Sequence, residues 1–172
     1  MPDTRPGLIF NNDDVCSACL NHEKQKDTDW NNRLQELKDL CDRHRGCNGD
    51  GPDCAIAVSG GKDSHFQVYI MKEVMKMNPI LISVGNIDWT ETGRKNLNNI
   101  SETFGCDIIM LHPNRSACKI MFKKAFEEIG QPSWYLDSLI YAYPYRMAMQ
   151  LGVKLLVYGE DVNYTYGGKY KE

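Results

Sequence analysis

Cys54-Ala55-Ile56-Ala57-Val58-Ser59-Gly60-Gly61-Lys62-Asp63-Ser64 is the stretch on which the fold turns. Its first five residues form a short apolar run, the pattern of a strand covered on both faces. From residue 64 to about 77 the periodicity changes to that of an amphipathic helix. Between them lies a turn whose residue types share one chemistry. Two glycines let the backbone turn tightly and meet an anion with no Cβ in the way. A helix starting there offers unpaired N–H groups and the positive end of its dipole. Ser59 and Ser64 add hydroxyls, Lys62 a mobile positive charge, and Asp63 a carboxylate suited to Mg²⁺ or to capping the loop. The alternative is an ordinary Gly-rich turn with Asp63 or Ser64 as its cap. All six residues together at a strand–helix junction favour a polyphosphate cradle. The Gly-x-x-x-x-Gly-Lys spacing of a Walker loop is absent.

Outward from this stretch, the chain alternates. Strands are expected at 80–84, 107–111 and 153–158. Helices are expected from Thr90 or Thr92 to Gly105, at 116–129 and at 135–151. Strands alternating with helices imply βαβ units and an α/β fold: a mostly parallel twisted sheet with flanking helices. Upstream, a helix from Thr28 or Asp29 to about Arg45 carries Trp30, Leu34, Leu37 and Cys41 on one face, with Gly46 as its stop. Residues 1–27 read as irregular. The loop 47–52 is the clearest internal boundary. It separates an N-terminal segment with its helix (1–52) from an ATP-binding α/β domain (53–172). Open α/β sheets take ligands beyond the carboxyl ends of their strands. That rule gathers Asn86 and Asp88, after the second strand, and Glu160, after the fourth, around the loop. Glu160 is read as a contact for Mg²⁺ or substrate, with an exposed loop carboxylate as the alternative.

Composition excludes several classes. Twenty basic and 23 acidic residues, net charge −3, are spread without a basic block, which argues against nucleic-acid binding by charge. No apolar run approaches the roughly 20 residues that span a bilayer, and the first residues lack the order of a signal peptide. A cytoplasmic protein is expected. Seven cysteines there read as thiols or metal ligands rather than disulfides.

The hexapeptide Ser59-Gly60-Gly61-Lys62-Asp63-Ser64 resembles the PP-loop of the ATP pyrophosphatase superfamily, a Rossmann-like group. The resemblance implies cleavage of ATP between its α- and β-phosphates. It also implies that Ser59, Gly60, Gly61, Asp63 and Ser64 cradle pyrophosphate and Mg²⁺. Further segments are similar to one branch, the N-acetyl sugar amidotransferases of bacterial surface-polysaccharide and nonulosonic-acid pathways. These are Met1-Pro2-Asp3-Thr4-Arg5-Pro6-Gly7, Val15-Cys16-Ser17-Ala18-Cys19, Trp89 to Leu97, Gly159-Glu160 and Tyr166-Gly167-Gly168. This resemblance implies an enzyme that adenylates the acetamido oxygen of an N-acetyl sugar. Ammonia from a partner glutaminase then completes an acetamidino group. An amide is a poor electrophile, so its oxygen must first become a leaving group. Lys62 and Asp63 are the candidate catalytic residues.

The chain departs from that family in two ways. A further Cys-x-x-Cys just before the stretch matching Met1 is missing, and the family continues beyond the point matching Glu172. The expectation is therefore a chain cut short at both ends. Ser133 to Asp137 agrees only loosely with the family's Trp-centred segment.

Cys16 and Cys19 have the spacing with which two thiolates chelate one tetrahedral Zn²⁺, and one pair is half a site. Cys41 and Cys47 could complete four ligands, but Cys41 lies on the apolar face of its helix and reads better as core. Two loop thiols without metal are the alternative. Cys41, Cys54, Cys106 and Cys118 fall in or beside apolar runs and read as packing residues. Trp134, Tyr135, Tyr141, Tyr143 and Tyr145 read first as core-edge aromatics and second as a sugar-stacking platform. Arg94 and Arg146 are candidates for a sugar phosphate. Two other functions remain open: a tRNA-thiolating PP-loop enzyme, and an ATP-binding fragment without turnover.

Overall fold

The computed structural model describes residues 8–86 and 88–160. The motif at Met1 to Gly7 and the aromatic segment at Asn163 to Tyr170 lie outside the described residues. In chain order the elements are α1 (Ser17–Gln25), α2 (Trp30–His44), β1 (Cys54–Ala57), α3 (Lys62–Tyr69), β2 (Pro79–Val84), α4 (Glu91–Phe104), β3 (Ile108–Leu111), α5 (Arg115–Ile129), α6 (Trp134–Gln150) and β4 (Leu156–Val157). They fall into two compact units. The larger is Lys38–Gly159, and the smaller holds the described residues up to Leu37 together with Glu160.

The larger unit is an α/β domain. Its four strands form one sheet in the order β3-β2-β1-β4, and every pairing is parallel. Strand side chains alternate between the two faces. On one face Ala55, Ile80 and Ile82 pack with Val153 and with Ala148 of α6. On the other face Ile56 and Leu81 are fully buried, as are Val68 of α3 and Leu97 and Ile100 of α4. Truncating a side chain such as Leu97 to alanine in a core of this kind costs about 2–5 kcal/mol.

Helix ends follow local chemistry. The Thr90 side chain caps α4 by accepting the Gly93 N–H at 3.0 Å, and Asn114 caps α5 by accepting that of Ala117 at 3.0 Å. Gly105, left-handed at φ 57°, ends α4 as expected. Asp29 accepts the N–H groups of Asn31 and Asn32 at the start of α2.

Several details differ from the sequence reading. The first 27 residues are not wholly irregular. Phe10 and Cys16 form an antiparallel bridge, and α1 follows it. This helix buries no side chain, so it leaves no periodicity to read. Trp30 and Leu34 of α2 are exposed, and Cys41 is the buried residue of that helix. After Tyr69 the helix widens into a π turn, Ile70–Val74, in which the Met75 N–H reaches back to the Ile70 carbonyl. β4 is two residues long.

The compact units part within α2, upstream of the compositional break at 47–52. The reason is visible in polar contacts. Arg45 donates to the carbonyls of Met75 and Lys76. Asp53 accepts the N–H groups of both Gly46 and Asn78. These bonds tie the end of α2 and the loop after it to the sheet.

Candidate functional site

The chain order β1, β2, β3 runs to one side of β1, whereas β4 lies on the other. That reversal between β1 and β4 is the switch point at which open parallel sheets bind ligands. The Ser59–Ser64 loop leaves the carboxyl end of β1 at this point.

Its two glycines have different jobs. Gly60 sits at φ 88°, where an L side chain is strained. A Cβ there would meet the Leu97 backbone nitrogen at 3.2 Å and the Gly93 carbonyl at 3.3 Å. Gly60 thus lets the loop press against α4. Gly61 is extended, at φ −77° and ψ 173°, and strain plays no part. Among the described residues a Cβ at Gly61 would have only Ser59 Oγ within 4 Å, at 3.6 Å, so the space beside Gly61 is open.

Ser64 is buried at 4% exposure, and its hydroxyl accepts the Ser59 N–H at 3.0 Å. The Ser59 and Ser64 hydroxyl oxygens lie 3.3 Å apart. Ser64 therefore closes the loop into a ring first and faces a ligand second. Gly61 is the N-cap of α3 and offers no capping side chain. The first-turn N–H groups consequently have no side-chain cap, and the positive end of the helix dipole lies with them. Lys62 and Asp63 are exposed on that first turn.

One residue that sequence reasoning passed over joins the loop, and a second lies further along α3. His65 donates through both its backbone N–H (3.2 Å) and its ring Nδ1 (3.0 Å) to the Gly61 carbonyl. A carbonyl is only an acceptor, so Nδ1 carries the proton. Gln67, two residues further, has its Oε1 buried with no hydrogen-bond partner among the described residues. Its amide lies against Gly159, directly after β4, where a Cβ would overlap it. His65 was readable as the i+4 neighbour of Gly61. Gln67 carried no signal, because its role depends on β4 pairing next to β1.

Asn86 follows β2 at the same end of the sheet. It is exposed, and its Oδ1 accepts the Asp88 N–H at 3.4 Å. Asp88 stands 3.8 Å from Arg115. Glu160 is exposed and belongs to the smaller unit. Tyr143 packs against the core, while Trp134, Tyr141 and Tyr145 are exposed. Tyr158 stacks on Tyr141, with ring centroids 5.8 Å apart, and donates its hydroxyl to the Tyr141 carbonyl.

In the smaller unit the sulfurs of Cys16 and Cys19 lie 3.5 Å apart. The Cys19 backbone N–H and then its thiol hold the Cys16 thiol at a pKa of about 7, and the Cys16 sulfur raises that of Cys19. A closed zinc site takes four ligands. All seven cysteines and all four histidines lie among the described residues, and no three His, Cys, Asp or Glu side chains converge there. The pair supplies two donors, so these residues do not by themselves build a closed zinc site.

Burial raises the thiols of Cys41 and Cys106 and pushes that of Cys54 up to about 12. Cys118 is also fully buried. Among the described residues no helix is long and apolar enough to cross a membrane.

Fold and loop together define an α/β domain with a parallel sheet and a candidate anion site at its switch point. No protein-family model matches the chain. An uncharacterized protein of Methanocaldococcus jannaschii is 26% identical over 113 residues, covering 66% of this chain and 40% of the relative. The chain thus spans two-fifths of that curated relative's length. Among solved structures, a predicted subunit of tRNA methyltransferase from the same organism is similar over 62% of this chain and 52% of its own, with 19% identity and a TM-score of 0.38.

Proposed function

We propose that this chain is the ATP-binding part of an ATP-dependent amidotransferase that activates the acetamido oxygen of an N-acetyl sugar and replaces it with ammonia. The observation that carries this reading is the α3 N-terminus. It has no side-chain cap, is bordered by the open space beside Gly61, and is set at the switch point between β1 and β4. The loop suits a pyrophosphate group. Gly61 and the first-turn N–H groups would hold it, and Ser59 would add a hydroxyl.

Lys62 would neutralise charge as pyrophosphate departs. Asp63 would hold Mg²⁺ together with phosphate oxygens, and the ion would supply further charge neutralisation. Asn86, at the neighbouring strand end, is the candidate contact for the rest of the nucleotide; the reading of Glu160 as a contact for substrate or Mg²⁺ rests on the sequence alone. Gripping the β- and γ-phosphates as one leaving group exposes the α-phosphorus to the amide oxygen.

Ammonia would come from a partner glutaminase. Four of the seven cysteines are buried in the larger unit, and burial raises the thiols of Cys41, Cys54 and Cys106. Those thiols are the opposite of an activated nucleophile, and Cys16, held at about 7, is only 3% exposed and lies in the smaller unit. The sugar specificity and a role in surface-polysaccharide synthesis rest on the sequence resemblance.

The test is product analysis by ³¹P NMR with nucleotide-linked and free N-acetyl sugars, using ammonium salt as nitrogen donor. A parallel arm contains transfer RNA and a sulfur donor. AMP and pyrophosphate, formed only with an N-acetyl sugar, are expected. ADP as product, or turnover that follows transfer RNA and ignores every sugar, would overturn the proposal.

A further inference from the structure

Most cysteines of this chain are shut away. Cys41, Cys54, Cys106 and Cys118 are buried in the larger unit, and Cys47 is exposed with its thiol donating to the Arg43 carbonyl. Cys16 and Cys19 are different. Their sulfurs face each other at 3.5 Å across the first turn of α1, while a disulfide needs about 2.05 Å. Cys16 is the N-cap of α1 and its carbonyl accepts the Leu20 N–H, so the pair spans the first turn of the helix, a spacing at which two cysteines can be bridged.

The two are unequal in access. Cys16 is 3% exposed, and Cys19 is exposed. The backbone around Cys16 is also clamped. Cys16 pairs with Phe10, and Ser17 donates its N–H to the Ile9 carbonyl at 2.7 Å while its hydroxyl accepts that of Ile9 at 3.3 Å. One sulfur is presented to solvent, and its neighbour is held behind it.

We propose that Cys16 and Cys19 form a thiol–disulfide exchange site that accepts a small disulfide at Cys19 and closes to an internal disulfide. In the first step Cys19 passes its proton to the more acidic Cys16 sulfur 3.5 Å away and attacks one sulfur of the disulfide as the thiolate. A Cys19 mixed disulfide forms, and one thiolate of the substrate leaves. In the second step Cys16 gives its proton to solvent and its sulfur attacks Cys19 Sγ. The Cys16–Cys19 bond forms, and the second substrate thiolate departs and takes up a proton. The protein dithiol is oxidised by two electrons, and the small disulfide is reduced to two thiols. A dithiol reductant reverses the reaction. The short sulfur–sulfur distance makes the second step fast, so the mixed disulfide does not accumulate. This site is independent of the nucleotide loop and stands on its own geometry.

Intact-mass spectrometry on the chelator-treated protein tests it, with Cys47→Ser as background to remove the other exposed thiol. Incubation with glutathione disulfide followed by alkylation is expected to give a species that has lost two hydrogens and carries no glutathione. Adding Cys16→Ser is expected to trap one glutathione on Cys19. Adding Cys19→Ser is expected to leave Cys16 unmodified, because the entry sulfur is gone. Circular dichroism of each variant checks that helix content is kept. A lasting glutathione adduct in the Cys47→Ser background would overturn the proposal. So would modification of Cys16 without Cys19, or zinc that survives chelation and blocks exchange.

Discussion

Replacing Gly60 and Gly61 with alanine, one at a time, separates the loop's folding requirement from its binding requirement. At Gly60 the backbone is held at φ 88°, which costs an L-residue about 1–3 kcal/mol. The new Cβ would also press on α4 at 3.2–3.3 Å from the Leu97 nitrogen and the Gly93 carbonyl, contacts that are tight and largely backbone. Overpacking of that kind adds about 1–3 kcal/mol. Gly60→Ala should therefore destabilise by about 2–6 kcal/mol, and for a domain of this size lower Tm by at least about 5 °C. Gly61 is extended, and its Cβ would enter open space. Gly61→Ala should leave stability unchanged or raise it by about 0.4–1 kcal/mol through the unfolded chain. Its effect should fall on ATP, because the methyl group would occupy the open space that the proposed function gives to phosphate, and Gly61→Val should abolish binding. Thermal unfolding followed by circular dichroism, with calorimetric titration of ATP·Mg²⁺, reads both. Equal destabilisation at the two positions, or unchanged ATP affinity in Gly61→Val, would refute the division of labour.

Other outcomes follow from the same geometry. The purified protein should hold well under one equivalent of zinc by elemental analysis, and a second Cys-x-x-Cys added upstream of Met1 should raise it; stoichiometric zinc lost on Cys47→Ser would show the ligand assignment to be wrong. Cys54, whose thiol burial pushes up to about 12 from an ordinary 9.0, keeps its proton in the folded state where the unfolded chain releases it. Its contribution is fully present below pH 9 and lost as pH rises to about 12, at about 1.4 kcal/mol for each pH unit between the two values. Urea unfolding across that window should show the fall, and Cys54→Ala should make it shallower. Lys62→Ala should slow turnover more than it weakens ATP binding, since its charge counts most as pyrophosphate departs; equal losses in both would point to a purely binding role.

The legible parts of the fold were those whose side chains face a core. Ile56, Leu81, Leu97 and Ile100 are fully buried, and their elements stand where the apolar pattern puts them. α1 was invisible because nothing on it is buried, and the π turn after Tyr69 because its extra residue leaves the helical apolar pattern readable on both sides. The short β4 follows from pairing: only Leu156 and Val157 have partners, Ala55 and Ile56, in the ladder. At the site, the hexapeptide located the loop but treated its glycines as equals. Only the packing of Gly60 on α4 and the openness at Gly61 tell them apart. Gln67 required the strand order, which no local pattern carries.

The most direct measurement of the central claim is a competition titration of ATP against pyrophosphate and against AMP, in the presence of Mg²⁺. A loop that grips the β- and γ-phosphates predicts that pyrophosphate alone displaces ATP, that AMP competes weakly, and that Gly61→Val removes both ATP and pyrophosphate binding. Displacement by AMP with pyrophosphate inert, or pyrophosphate binding untouched by Gly61→Val, would contradict it.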